Sequence, residues 1–140
     1  KAIQKAKNAA QLYISSLANG HAVAKALHEE QSERPIVIIA SGNDGSFSLE
    51  DCIGAGQIIA HLLKLGDYIL SDAAYAAQSI YESVKAQNFE PLTHTETVQL
   101  LKRFNMDDAV PFVIDTIESM DFSTIYKDGQ ISIQRKEDLQ

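Results

Sequence analysis

Cysteine is almost absent: Cys52 stands alone, so no intrachain disulfide can form, and the scarcity suits a reducing compartment, with the cytoplasm as the expected location. Long apolar runs are missing as well. Nothing approaches the roughly 18 residues that a membrane-spanning helix needs, so a membrane partner is not expected. Positive charge is scarce: 12 Lys and Arg against 19 Asp and Glu leave a formal charge of -7. The basic residues form no stripe interleaved with aromatics, which argues against nucleic acid. His21, His28, His61 and His94 show neither HExxH spacing nor a cluster with Cys52, which argues against zinc and reads them as helix-surface residues, His21 excepted for its place after Asn19-Gly20. There is no P-loop, no GxGxxG and no G-x-S-x-G elbow around Ser48. Cys52 has acidic neighbours instead of the positive surroundings that activate a thiolate, so it reads as a small core residue.

What is present suffices for one domain over residues 1–140. At 45% hydrophobic and 22% charged residues the composition is that of a globular protein, and a chain of this size buries roughly two thirds of its unfolded surface. Apolar spacing predicts a helix over 1–8, a short strand over 11–15 and a helix over 21–30. A polar connector, 31–35, then leads to a strand over 35–40. Further helices are expected over 49–65, ending at Gly66, and over 72–86, capped by Ser71 or Asp72 with Ala73, Ala76, Ala77, Ile80, Tyr81 and Val84 inward. Thr93-His94-Thr95-Glu96 has capping-box spacing before a helix to Phe104, and Asp107-Asp108 open another with Pro111 near its first turn. Residues 124–133 read as a hairpin turning at Asp128-Gly129, followed by a charged tail, 135–140, that frays. Strands alternating with helices predict a three-layer α/β/α fold with a mainly parallel sheet and a C-terminal β-hairpin.

The most informative stretch is PIVIIASGNDGSFSLEDCIGAGQII, residues 35–59. Its first six residues are an unalternating, β-branched run, as in a strand covered on both faces. Ser41-Gly42-Asn43-Asp44-Gly45 supplies backbone freedom and unpaired amides, with Asn-Asp-Gly reading as a turn. Ser48-Leu49-Glu50-Asp51 has the capping-box spacing with Asp at the third helical position, so the helix starts at Leu49. Gly54 and Gly56 thin that helix where another element comes close. Ligands of open α/β sheets sit beyond the carboxyl ends of strands, which points to the loops 15–19 and 41–45.

GNDGSFSLED followed by AGQII, preceded by Leu17-Ala18-Asn19-Gly20 and Ala22-Val23-Ala24 and followed by Ser71-Asp72-Ala73-Ala74, resembles the ComB family of 2-phosphosulfolactate phosphatases. The resemblance is good over residues 1–90 and looser beyond. It implies a magnesium-dependent phosphatase that releases phosphate from 2-phospho-3-sulfolactate, on the route to coenzyme M or to free sulfolactate. Members of the family are longer. Lys1 in place of a start methionine, with Ala2, Ile3, Ala6, Ala9 and Ala10 at helical spacing, leads to the expectation of a carboxyl-terminal portion of such a protein, a fragment that is inactive alone if its missing partner segments complete the site.

Glu50 and Asp51, in a first helical turn where dipole and amides favour ionised carboxylates, are the candidates for Mg²⁺ ligation and catalysis; each also reads as an ordinary first-turn acid or cap. Asp72 is either a helix cap or a third catalytic carboxylate. Asn19 is a candidate for binding a phosphate or sulfonate oxygen and equally a cap, while Ser41, Gly42 and Gly45 are candidates for an anion-binding nest or plain turn residues. Two functions follow. The first is the phosphatase, with a small anionic phosphoester as partner and a homo-oligomer as a further expectation; as a fragment it would expose a sheet edge that invites self-association. The alternative is a non-catalytic α/β module that binds a small anion or serves as an assembly half.

Overall fold

A computed structural model describes residues 2–6, 8–31 and 33–134. Its elements are α1 (Ala2–Ala6), β1 (Tyr13–Ile14), α2 (Gly20–Glu29), α3 (Leu49–Leu65), α4 (Asp72–Ala86), a 3₁₀ turn (Glu90–His94), α5 (Glu96–Arg103), α6 (Ala109–Asp115), β2 (Ser123–Lys127) and β3 (Gln130–Gln134). The expectations for Lys1 and Lys7 in the first helix, for Ser32 in the connector and for the tail 135–140 fall outside the described residues.

The organising element is α3. Ser48 caps it, its side-chain oxygen accepting the Asp51 amide at 3.3 Å, and Glu50 and Asp51 supply negative charge to the first turn, where the helix dipole favours it. The helix lies between α2 and α4. Toward α2 it packs Ile58 and Leu62 against Ala24, with Leu27, Ile38 and Tyr68 around them. Toward α4 it packs Ile53 and Ala60 against Tyr81 and Val84, and Cys52, Ala55 and Ile59 against Ala77. Gly56 sits where the two helices come closest: a Cβ there would lie 2.1 Å from the Ala77 carbonyl oxygen and 2.6 Å from Tyr81 Cβ. Cys52 is buried, and burial pushes its thiol pKa up, in keeping with a core residue.

The sheet differs from the expected one. It has three strands in the order β1-β2-β3, all antiparallel, with Tyr13 opposite Ile125 and Ser123 opposite Gln134. The hairpin turn is the expected one, Asp128 and Gly129 both taking positive φ. Among the described residues no parallel pair forms, because the run 35–40 is irregular and pairs with no strand; a strand exists only where its backbone groups find a ladder partner. Instead of being buried on both faces, the run tucks in Ile38 and exposes Val37 and Ile39. The strand expected over 11–15 shrinks to Tyr13–Ile14.

Smaller differences have local causes. The box begun at Thr93 is replaced by a cap at Thr95, because 90–94 is already wound as a 3₁₀ turn and the Thr95 side chain accepts the Val98 amide at 3.3 Å. Gly66 closes α3 in an extended conformation, its amide donating to the Leu62 carbonyl. In α4, Ala77, Tyr81 and Val84 face inward, whereas Ala73 and Ala76 are exposed beyond the reach of α3.

Candidate functional site

An open groove of about 1320 Å³ runs along one side of the molecule. Its rim includes α1, β1, the loop after β1, the run 34–41 and the first turns of α3, where Glu50, Asp51 and Gly54 are exposed to it. Gly54 leaves room: a Cβ at this position would meet nothing within 4 Å among the described residues.

Glu50 is held from two helix termini at once. Its Oε2 accepts from the Ser48 hydroxyl at 2.9 Å, and its Oε1 accepts from the Thr95 hydroxyl, so the N-caps of α3 and α5 converge on one carboxylate. Burial opposes ionisation here. Hydrogen bonds from Thr95, from the backbone amide, from Ser48 and from Thr97 outweigh it and hold the Glu50 pKa below the usual glutamate value. Glu50 is thus a fixed, ionised, partly buried oxygen donor at the groove.

Asp51 points differently. Its Oδ2 accepts the Gly42 amide at 2.6 Å and the Ser41 hydroxyl at 3.3 Å, which ties the loop 41–47 onto α3. That loop turns at Asp44 and Gly45, both at positive φ, inside reciprocal Asn43 and Ser46 backbone bonds, and Asn43 reaches Thr97 at 3.1 Å. Gly42 has φ +69, and a Cβ there would lie 2.3 Å from the Ser46 carbonyl oxygen. The expected nest is therefore occupied from within: the Gly42 amide already serves Asp51, and Gly45 is an exposed turn residue.

Asn19 is only 5% exposed, and its side chain is engaged in the fold. Its Oδ1 accepts from the Ser16 amide at 2.8 Å and the Ser16 hydroxyl at 3.3 Å, while Nδ2 donates to the Phe122 carbonyl at 3.5 Å. It therefore shapes the loop that carries Ser15 and Ser16 to the groove. Asp72 is separated from the others. Antiparallel packing sets Gly56 beside Ala77 and Ile53 beside Val84, so the start of α4 lies at the far end of α3, about 20 Å from Glu50 at 1.5 Å per residue. Ser71 caps α4, and Asp72 is an exposed first-turn acid.

Mg²⁺ takes hard oxygen ligands, often only one or two from protein. Glu50 meets that demand, and Asp51 meets it through the oxygen left over from the loop. Among the described residues no group of three His, Cys, Asp or Glu side chains converges on a metal position. The donor set thus fits a cation that keeps water and substrate oxygens, not a closed all-protein cage.

A second polar cluster was not legible in the sequence. Glu118, at φ +58, places Oε1 at 2.6 Å from His61 Nε2 and at 3.5 Å from both Gln57 Nε2 and the Tyr81 hydroxyl. Gln57, fully buried, also donates to the Leu17 carbonyl at 3.0 Å, and the Glu118 amide donates to the same carbonyl. His21 lies 2.8 Å from Asp121, with its ring 6.0 Å from that of His61, and does not line the groove. The cluster fixes the backbone of the loop 15–19. The roles of Thr95 and Thr97 were missed too. A Thr before Glu96 at a helix start is the signal for the first, but no local pattern links either residue to Glu50.

A family model described as 2-phosphosulpholactate phosphatase matches residues 1–129. A probable 2-phosphosulfolactate phosphatase of Clostridium perfringens (strain SM101) is 31% identical over 131 residues, 94% of this chain and 51% of the relative. A probable 2-phosphosulfolactate phosphatase of Clostridium beijerinckii is 29% identical over 138 residues, 96% of this chain and 55% of the relative. One of Deinococcus radiodurans reaches 39% over a shorter stretch of 72 residues, 51% of this chain and 30% of the relative. The chain spans about half the length of the first two relatives.

Proposed function

Because the chain belongs to the 2-phosphosulpholactate phosphatase family, we propose that the whole protein hydrolyses 2-phospho-3-sulfolactate to 3-sulfolactate and phosphate with Mg²⁺, in the cytoplasm, and that this chain supplies the wall bearing Glu50. The observation that supports the reading best is the state of Glu50: ionised, partly buried, fixed by two hydroxyls and open to the groove.

In this reading Glu50 holds the metal and Asp51 adds an oxygen while keeping the loop 41–47 in place. Magnesium bound there would supply positive charge against the phosphoryl oxygens. The Ser15, Ser16 and Ser41 hydroxyls border the same groove and would turn from their long internal bonds, to the Ser16 carbonyl at 3.4 Å and to Asn19 Oδ1 and Asp51 Oδ2 at 3.3 Å, to donate to phosphate or sulfonate oxygens; Asn19 positions Ser16 through its backbone amide. Lys5, also on the groove, brings local positive charge against the net charge of -7 that would otherwise repel a dianion. Asp72, at the far end of α3, has no part in this chemistry.

Phosphate release from 2-phosphosulfolactate by the full-length protein, with and without Mg²⁺, tests the proposal. Turnover only with the metal is the expected result. Stabilisation by Mg²⁺ and phosphate in a thermal melt, without any release of phosphate from this ester, would instead identify an anion-binding module. The hydroxyl bonds already held by both Glu50 oxygens, and the Gly42 amide already held by Asp51 Oδ2, are the observations on that side.

A further inference from the structure

The run Ile36-Val37-Ile38-Ile39 has the composition of a strand and the placement of a strand lacking its neighbour. Ile38 packs beneath, against the α2 and α3 side of the core. Val37, 77% exposed, and Ile39, 53% exposed, border the groove. So does β1, which pairs with β2 on one edge and, among the described residues, with nothing on the other. Phe112, 65% exposed, with Val113 and Met120 completes an apolar lining on the same groove. Unpaired backbone and contiguous exposed aliphatic surface mark a place that another chain segment covers.

We propose that the groove seats an apolar β-strand from the part of the family's length that this chain does not span, added along 35–40 by backbone hydrogen bonds in the manner of strand augmentation. Coverage argues for this occupant, since this chain matches 51% and 55% of the two relatives that it covers almost from end to end. About as many residues again are available in such proteins to fill the groove. A second copy is the weaker occupant, because each carries a charge of -7 and the two would repel on approach. The docking does not depend on any role of Glu50 in catalysis.

Hydrogen exchange on the 140-residue chain and on a full-length protein carrying it tests this, with the α3 amides as internal reference. Amides 36–40 should exchange freely in the short chain and at least roughly a hundredfold more slowly in the long one. In the long protein, Val37→Asp should speed exchange at 36–40 while leaving α3 protected. Equal, fast exchange at 36–40 in both proteins would overturn the proposal. So would protection in the short chain that appears only as it dimerises in sedimentation, which would assign the groove to a second copy. Should α3 be unprotected in the short chain, the long protein alone decides: unprotected amides 36–40, or no response to Val37→Asp, refute the docking.

Discussion

At the scale of single residues, two carboxylates and a phenol tie stability to pH in opposite directions. Burial works to raise the pKa of Glu118, but the hydrogen bond and charge of His61, with Gln57 and Lys85, pull it below its ordinary value of 4.5; Glu50 is lowered from the same value by its hydroxyl donors. A folded-state pKa below the unfolded one gives stability that is whole above pH 4.5 and is lost as pH falls through the lowered value. Tyr81 goes the other way. Burial, then the charges of Glu118 and Glu82, raise it from 10.0 to about 12, so its contribution is whole below pH 10 and fades as pH rises toward 12. Urea unfolding across pH should therefore show an acid limb that flattens in Glu118→Gln and an alkaline limb that flattens in Tyr81→Phe. Identical limbs in the variants would contradict these assignments.

At the scale of elements, the contrast between two glycines of α3 is the clearest consequence of packing. Gly56 meets α4, where a methyl group would press on the Ala77 carbonyl and the Tyr81 side chain, whereas Gly54 faces open groove. Gly56→Ala should destabilise by about 1–3 kcal/mol through overpacking, and Gly54→Ala should stabilise by about 0.5–1 kcal/mol through helix propensity, both read from urea midpoints. Equal signs would mean that α3 and α4 do not cross at Gly56.

Much of this was legible because helix signals are local. The Ser48 cap, the 49–65 and 72–86 helices and the Asp128-Gly129 turn are each encoded within a few residues. The run 35–40 was misread because strand composition is local but a strand's partner is not, and no partner stands among the described residues. The site divides in the same way: Glu50 and Asp51 could be singled out from first-turn chemistry. That Asp51 would hold Gly42, that Thr95 would reach Glu50 across 45 positions, and that Asp72 would lie at the other end of α3 are all products of tertiary packing.

At the scale of the whole molecule, the described residues form a helical core around α3 with a small antiparallel sheet, flanked by an apolar groove whose rim carries an ionised glutamate. No helix among them is long and apolar enough to cross a membrane. The groove joins two aspects of the protein: a surface shaped to receive a further strand, and a carboxylate suited to a hard cation. Steady-state hydrolysis of 2-phosphosulfolactate with Mg²⁺ by the full-length protein, wild type against Glu50→Gln, tests the role of Glu50 most directly. The substitution keeps shape and removes charge, so turnover should fall by about two orders of magnitude or more, as for loss of a charge-stabilising group, while circular dichroism stays close to wild type and the thermal midpoint falls by no more than the loss of the charge-assisted bonds to Glu50 accounts for. An unchanged kcat in a folded variant would contradict it.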